Sequence, residues 1–240
     1  MHFINFFGNE GGFECILDIL ENGEMDETLN IQVMGNLATL ISLPANIYHR
    51  TFMDEFGARI SNAIKARLLG ASDKSIRDVR KEQIDTILKA VGSVQQRIME
   101  KEASAKELEI FKLEMCKKCL ESEFLERRIQ GIRDLNLIIK NNTIFNHKQF
   151  EPEFLVQWMT EHNIFDIIWV SKRTHAQLVE RSNDIWRLLL KEKLLTEGHM
   201  QMFWELTKTP DYKSAVYKIV NECSFYLQQP QIEFMFKEVT

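Results

Sequence analysis

"SAKELEIFKLEMCKKCLE", residues 104–121, carries two apolar rows at helical spacing instead of one. Leu108, Phe111, Met115 and Cys119 recur every three or four residues along one side, and Ile110, Leu113 and Leu120 form a second row. A surface helix of a globular protein buries one stripe and leaves the rest polar. A helix that is apolar on two sides must be covered on two sides, so this segment is expected to be sandwiched between neighbours. That pattern does not fit the helices of a four-helix bundle, which face a single interior.

The same 3.6-residue period extends in both directions. Ile84, Ile87, Leu88, Val91, Val94 and Ile98 form one stripe, and Leu125, Ile129, Ile132, Leu135 and Ile139 another. Leu178, Ser182, Ile185, Trp186 and Leu189 make a third, and Tyr212, Val216, Ile219, Val220, Cys223, Tyr226 and Leu227 a fourth. No stretch alternates with period two for long enough to be a strand, so the chain reads as all-α, with about ten helices joined by short turns. The boundaries have their own chemistry. Ser104 with Glu107 and Thr174 with Gln177 have capping-box spacing. Pro152, Pro210 and Pro230 each open an apolar segment, where a missing N–H is harmless. Gly70, Asn141–Asn142 and Asn163 follow stripes, where a left-handed residue is tolerated.

Sandwiched helices in short, similar units predict an α-solenoid of armadillo/HEAT-like helical repeats, without a strict sequence repeat. Residues 1–240 are expected to be a single such region, a fragment of a longer solenoid, with a sub-boundary near 100–104. Gly35, Gly92 and Gly131 lie inside predicted helices, each at a cost of roughly 1 kcal/mol relative to Ala unless neighbouring helices approach closely. Close approach is the expected reason for all three. In "EFLVQWMTEHNIFDIIW", residues 153–169, a helix ends at Asn163 and a short, strongly apolar one begins. Trp158 and Trp169 are therefore expected to be wedges at a helix corner rather than a ligand platform.

Composition narrows the function. Apolar residues are 45% and charged residues 27%, with ten Gly and four Pro, which is globular rather than disordered. A net charge of −5 argues against a nucleic-acid binder, which needs clustered Lys and Arg. The charge is uneven: residues 1–56 hold nine acids against Arg50 alone, and residues 65–101 nine bases against five acids. Such runs read first as solvated helix faces. Cys15, Cys116, Cys119 and Cys223 are too few and too scattered for a disulfide framework, which points to a reducing, cytoplasmic setting. No signal peptide and no membrane span is expected.

No catalytic, cofactor or metal site assembles from the motifs. Cys116-Lys-Lys-Cys119 has the spacing of half a zinc site, but no second pair exists and Cys119 belongs to an apolar row. "GNEGG", residues 8–12, lacks the Lys-Ser/Thr that would make it a phosphate loop and reads as a turn. Glu161-His162 has no second His at metal-binding spacing.

"KELEIFKLEM" (106–115), "FLVQWMTEHNIF" (154–165) and "LVERSNDIWRLLLKEKLLTEGHMQMFWELT" (178–207), in that order, resemble the armadillo-like N-terminal region of the large ubiquitin-specific proteases (ubiquitin carboxyl-terminal hydrolases) of the fat facets type. Trp158 and Asn163 at the corner, Lys191-Glu192, Leu195-Thr196, Trp204, and Tyr212 to Val220 carry the likeness. It is best over about 104–240 and weaker over 1–103. The resemblance implies a non-catalytic protein-interaction scaffold of a deubiquitinating enzyme, with other proteins as partners and with no cofactor, nucleic acid or membrane. The alternative is an unrelated armadillo or HEAT scaffold in complex assembly or transport. The family's protease motifs are missing: Cys15 follows "GGFE", Cys116 follows "KLEM", and Gly198-His199 is followed by Met200 where the family's box has tyrosine. Thr196 reads instead as the cap of the helix containing His199. If the solenoid continues beyond these residues, Phe3, Phe6 and Phe7 at one end and Phe234, Met235 and Phe236 at the other are expected to be exposed and to promote self-association.

Overall fold

The computed structural model describes residues 6–7, 10–22, 31–41, 50–143 and 149–239, and among them there are thirteen α-helices, turns and no strand. Contacts gather the chain into two units, Met1–Met115 and Cys116–Thr240.

In the first unit the helices are α1 (Gly12–Asn22), α2 (Ile31–Ile41), α3 (Arg50–Gly70), α4 (Asp73–Arg77), α5 (Lys81–Ile98) and the start of α6 (Lys101–Glu121). Gly11, at φ +79, makes the turn into α1, a conformation that suits glycine because it has no Cβ. Helix α5 packs against both α2 and α3, and α1 lies on α3. The stripe Ile84, Ile87, Leu88, Val91 and Val94 is buried as its spacing predicts, with Ile98 packed at its edge. Two caps set the local starts: Ser72 Oγ accepts the Ser75 N–H at 3.1 Å, and Gln83 Oε1 accepts the Arg80 N–H at 3.0 Å.

Helix α6 has the two-sided burial read from its sequence. Phe111 and Met115 close the first core, and Leu113, Cys116, Cys119 and Leu120 are buried as well. Its start differs from the prediction. Ser104 is no cap: its N–H donates to Glu100 O at 2.9 Å, inside a helix that begins at Lys101. Lys101, Glu102 and Ala103 are good helix formers and extend the helix upstream.

The second unit contains the end of α6, then α7 (Leu125–Thr143), α8 (Pro152–Glu161), a π-helical turn (Asp166–Val170), α9 (Ala176–Arg181), α10 (Asn183–Lys191), α11 (Glu197–Glu205), a 3-10 turn (Leu206–Lys208), α12 (Pro210–Cys223), a second 3-10 turn (Ser224–Tyr226) and α13 (Gln229–Val239). Helix α7 packs against α8, α9 and α10, and α12 against α9 and α10. The excess over about ten predicted helices comes partly from pieces as short as α4 and α9, below the length at which periodicity is legible.

The corner behaves as expected. Asn163 is left-handed at φ 55 and ends α8, while Trp158 and Trp169 are buried. The apolar segment after it is a π turn, closed by Ser171 N–H donating to Asp166 O at 2.7 Å. Trp169 Nε1 donates to Ser182 Oγ at 3.1 Å, and its ring meets Trp186 and Phe203 edge-on at 6.0 and 5.3 Å. Trp186 and Phe203 stack at 4.2 Å.

Three other boundary expectations change. Asn141 and Asn142 lie within α7, and the buried Asn142 works through its side chain: Oδ1 accepts the Gln149 and Phe150 N–H groups at 2.8 and 2.9 Å. The cap of α9 is His175, whose Nδ1 accepts the Gln177 N–H at 3.2 Å, one residue after Thr174. Gly70 is simply the last residue of α3.

Close approach explains Gly131, where a Cβ would fall 2.9 Å from Cys116 O and 3.0 Å from Leu120 N, backbone that cannot move aside. At Gly92 the obstacle is the tip of Leu108, at 2.7 Å. Gly35 has only Ile87 nearby, at 3.8 Å, so close approach does not account for it. Of the residues expected at exposed ends, Phe6 is 63% and Phe236 70% exposed, Phe7, Phe234 and Met235 are half-buried, and Phe3 lies outside the described residues.

Candidate partner-binding concavity

The cysteine pair and His199 have packing or capping roles in the described structure. Cys116 and Cys119 are buried in α6, and among the described residues no group of three or more His, Cys, Asp or Glu is placed to hold a metal ion. Glu161 accepts from Gln157, and the His162 ring stacks on Trp158 at 4.6 Å. Gly8 and Asn9 of the glycine-rich turn lie outside the described residues.

His199 sits at the third position of α11 and is buried. Its N–H donates to Thr196 Oγ1 at 3.2 Å, its Nδ1 accepts the Thr196 N–H at 3.3 Å, and its ring packs on Phe165 at 4.5 Å. This is a reciprocal cap, with histidine where Glu or Gln is usual. Burial pulls the imidazole below its ordinary pKa, which keeps it neutral and suits Nδ1 as an acceptor.

The second unit does form one concavity in which charge is organised by a buried group. It encloses about 380 Å³ and is lined by parts of α7, α10 and α12 and by the turn after α12. Asp184, in the first turn of α10, is only 6% exposed. Its two carboxylate oxygens meet Lys140 Nζ at 2.9 Å and Arg187 Nη1 at 3.5 Å. A buried carboxylate needs such partners, and it fixes both long cationic side chains in return. Burial raises the pKa of the neighbouring Cys223 thiol, an effect that Arg187 partly offsets. Lys191, Glu192 and Glu222 complete the charged wall, and Phe225, 91% exposed, stands in its lining beside Tyr226. The arrangement offers fixed charges, spare N–H donors and an exposed ring. It contains no activated nucleophile.

The sequence reading missed this concavity. Asp184 and Arg187 have helical i,i+3 spacing and so were legible as a pair. Lys140 comes from a distant helix, and no local pattern announces it. Phe225 falls off the apolar stripe that includes Tyr226, the one signal that could have marked it as exposed.

The described fold is thus that of an all-α chain whose long sixth helix is covered on two sides, as in solenoids of stacked helical repeats. Residues 106–240 match the family described as the UBP24/USP9X/USP9Y ARM repeat, and the chain belongs to that family. Its curated relatives include ubiquitin carboxyl-terminal hydrolase 9Y of Homo sapiens, 22% identical over 214 residues, and ubiquitin carboxyl-terminal hydrolase 9X of Mus musculus, 22% identical over 217. A probable ubiquitin carboxyl-terminal hydrolase FAF of Drosophila melanogaster is 18% identical over 245 residues. These alignments cover 84% of this chain but only 8–9% of the relatives' length. No solved structure matches. The membership bears out the armadillo-type solenoid and the fat facets resemblance, and it decides against an unrelated armadillo or HEAT scaffold. The residues matched are repeat region, not catalytic domain. Among the described residues no helix is long and apolar enough to cross a membrane.

Proposed function

We propose that this chain is a non-catalytic recognition segment of a deubiquitinating cysteine protease, holding a partner or substrate protein in the cytoplasm while ubiquitin is removed elsewhere in the enzyme. The observation that carries the reading is the concavity in the family-matched half: two cations fixed on the buried Asp184, with Phe225 exposed in the same wall. Exposed aromatic and arginine side chains at a preorganised surface are what protein interfaces enrich. Membership in the ARM repeat family supports the link to ubiquitin hydrolases, whose names state that activity for the relatives.

Two measurements test it. The 240-residue chain should leave a ubiquitin–fluorophore conjugate uncleaved, and turnover above background overturns the non-catalytic assignment. A photo-crosslinking phenylalanine analogue at position 225 should capture a protein in cell extract, and Arg187→Ala should abolish that capture. Adducts that survive Arg187→Ala undiminished would remove the concavity as the recognition surface.

A further inference from the structure

A second charged cluster in the same unit goes beyond this concavity. Arg128, near the start of α7, donates from Nη1 to the main-chain oxygen of Arg173, 45 residues away. Arg173 in turn donates to Glu121 O at 3.0 Å, at the end of α6. Main-chain oxygens satisfy individual N–H groups but bring only partial charge to two like-charged guanidiniums. Glu123 reaches Arg173 at only 3.9 Å, with its carboxylate 71% exposed, which is a weak pair. The mutual repulsion is felt: burial first, and Arg173 second, hold Arg128 below the ordinary arginine pKa.

One donor at this place has no acceptor among the described residues. Arg128 Nε is buried and unpartnered. A buried donor without a partner is costly, and native structures rarely leave one without a reason. The planar donors of a guanidinium match the oxygens of a carboxylate or phosphate, and two guanidiniums side by side match them better. The first turn of α7, a helix of 19 residues, adds its positive end at Arg128.

We propose that Arg128 and Arg173 form a site for an oxyanion carried by a protein partner, a carboxylate or a phosphate group. The site rests on the recognition reading above and gives one chemical element of what is recognised. It is a short-range fork, because Glu123 and Glu126 share the same turn. A broad basic surface of the kind that tracks a nucleic-acid backbone is not what these residues build.

The test is an NMR titration of the 240-residue chain, following the arginine Nε–Hε resonances while inorganic phosphate, acetate or chloride is added at constant ionic strength. Phosphate or acetate should shift the Arg128 and Arg173 resonances saturably, with a Kd in the range of about 1 mM expected of a single small ion, while chloride should not. A response to acetate alone assigns the site to carboxylates, and one to phosphate alone assigns it to phosphorylated partners. Arg173→Gln should weaken binding at least tenfold. Should that variant unfold, Arg128→Lys keeps the charge, removes Nε and must weaken binding as well. No saturable shift in the wild type, or unchanged affinity in the folded variants, overturns the proposal. Loss of this site with crosslinking at residue 225 intact would leave the recognition reading standing. The reverse outcome would remove that reading and keep the anion site.

Discussion

The first unit closes its core with aliphatic side chains, among them Leu17, Leu20, Ile60, Ile64, Leu68, Ile87 and Val91, helped by a few phenylalanines. The second is built around rings: all four tryptophans lie there, and Trp169, Trp186 and Phe203 form one continuous aromatic contact. Buried polar groups do not follow this division, because unpartnered ones lie in both units. In the second unit Ser122, Asn142, Ser182, Asp184 and His199 are all hydrogen-bonded or ion-paired. Buried side-chain atoms without a partner among the described residues include Ser61 Oγ, Gln95 Oε1 and Ser104 Oγ in the first unit and Arg128 Nε, Asn136 Oδ1, Thr174 Oγ1 and Trp186 Nε1 in the second. Rings interlock and fix positions, as where Trp169 Nε1 donates to Ser182 Oγ.

The largest expected effect is at the centre of the rings. Trp186, 1% exposed and stacked on Phe203, should cost about 3–5 kcal/mol when replaced by Ala. Trp186→Phe keeps a ring and removes an indole N–H that has no partner among the described residues, so it should cost less. Urea unfolding can separate the units, because tryptophan emission reports on the second alone while circular dichroism reports on both. A loss in Trp186→Ala as small as one kcal/mol would show that the rings are filler rather than framework.

A smaller effect tests one polar contact among the rings. Ser182 Oγ accepts from Trp169 Nε1 at 3.1 Å and donates to Val179 O at 2.7 Å. Ser182→Ala strands a buried indole N–H and should cost about 1–3 kcal/mol. Ser61→Ala removes a hydroxyl that has no partner among the described residues and should stay within about 0.5 kcal/mol of the wild type. Equal losses for the two variants, read from urea midpoints, would show that the Trp169–Ser182 hydrogen bond adds nothing to stability.

What the sequence could tell divides along another line, between local spacing and tertiary packing. The all-α class, the stripe Ile84 to Val94 and the two-sided burial of α6 follow from local periodicity, because a helix keeps its spacing whatever it packs against. The stop at Asn163 was legible because its backbone needs φ > 0. Ser104 and Thr174 misled because capping-box spacing is frequent, and neighbouring residues decide where the helix starts. The concavity and the arginine pair were out of reach. Lys140 with Asp184, and Arg128 with Arg173, meet only through tertiary packing, and nothing in either local segment encodes the other.

The smallest expected effect concerns the histidine that caps α11 in the ring-built unit. Burial lowers the His199 pKa below its ordinary value of 6.5, so at mildly acid pH the unfolded chain takes up a proton that the folded one resists. The stabilisation is therefore fully present above about pH 6.5 and is lost as pH falls through the lowered folded value. Protonation would also turn Nδ1 from an acceptor into a donor facing the Thr196 N–H, which breaks half of the reciprocal cap. His199→Gln provides the control, since glutamine serves the same position of a capping box without titrating. Between pH 7.5 and pH 5.5 the wild type should lose more of its urea midpoint, followed by tryptophan emission, than His199→Gln does. If the two lose stability in parallel, the acid sensitivity of the second unit comes from other groups, and His199 is held there by packing on Phe165 alone.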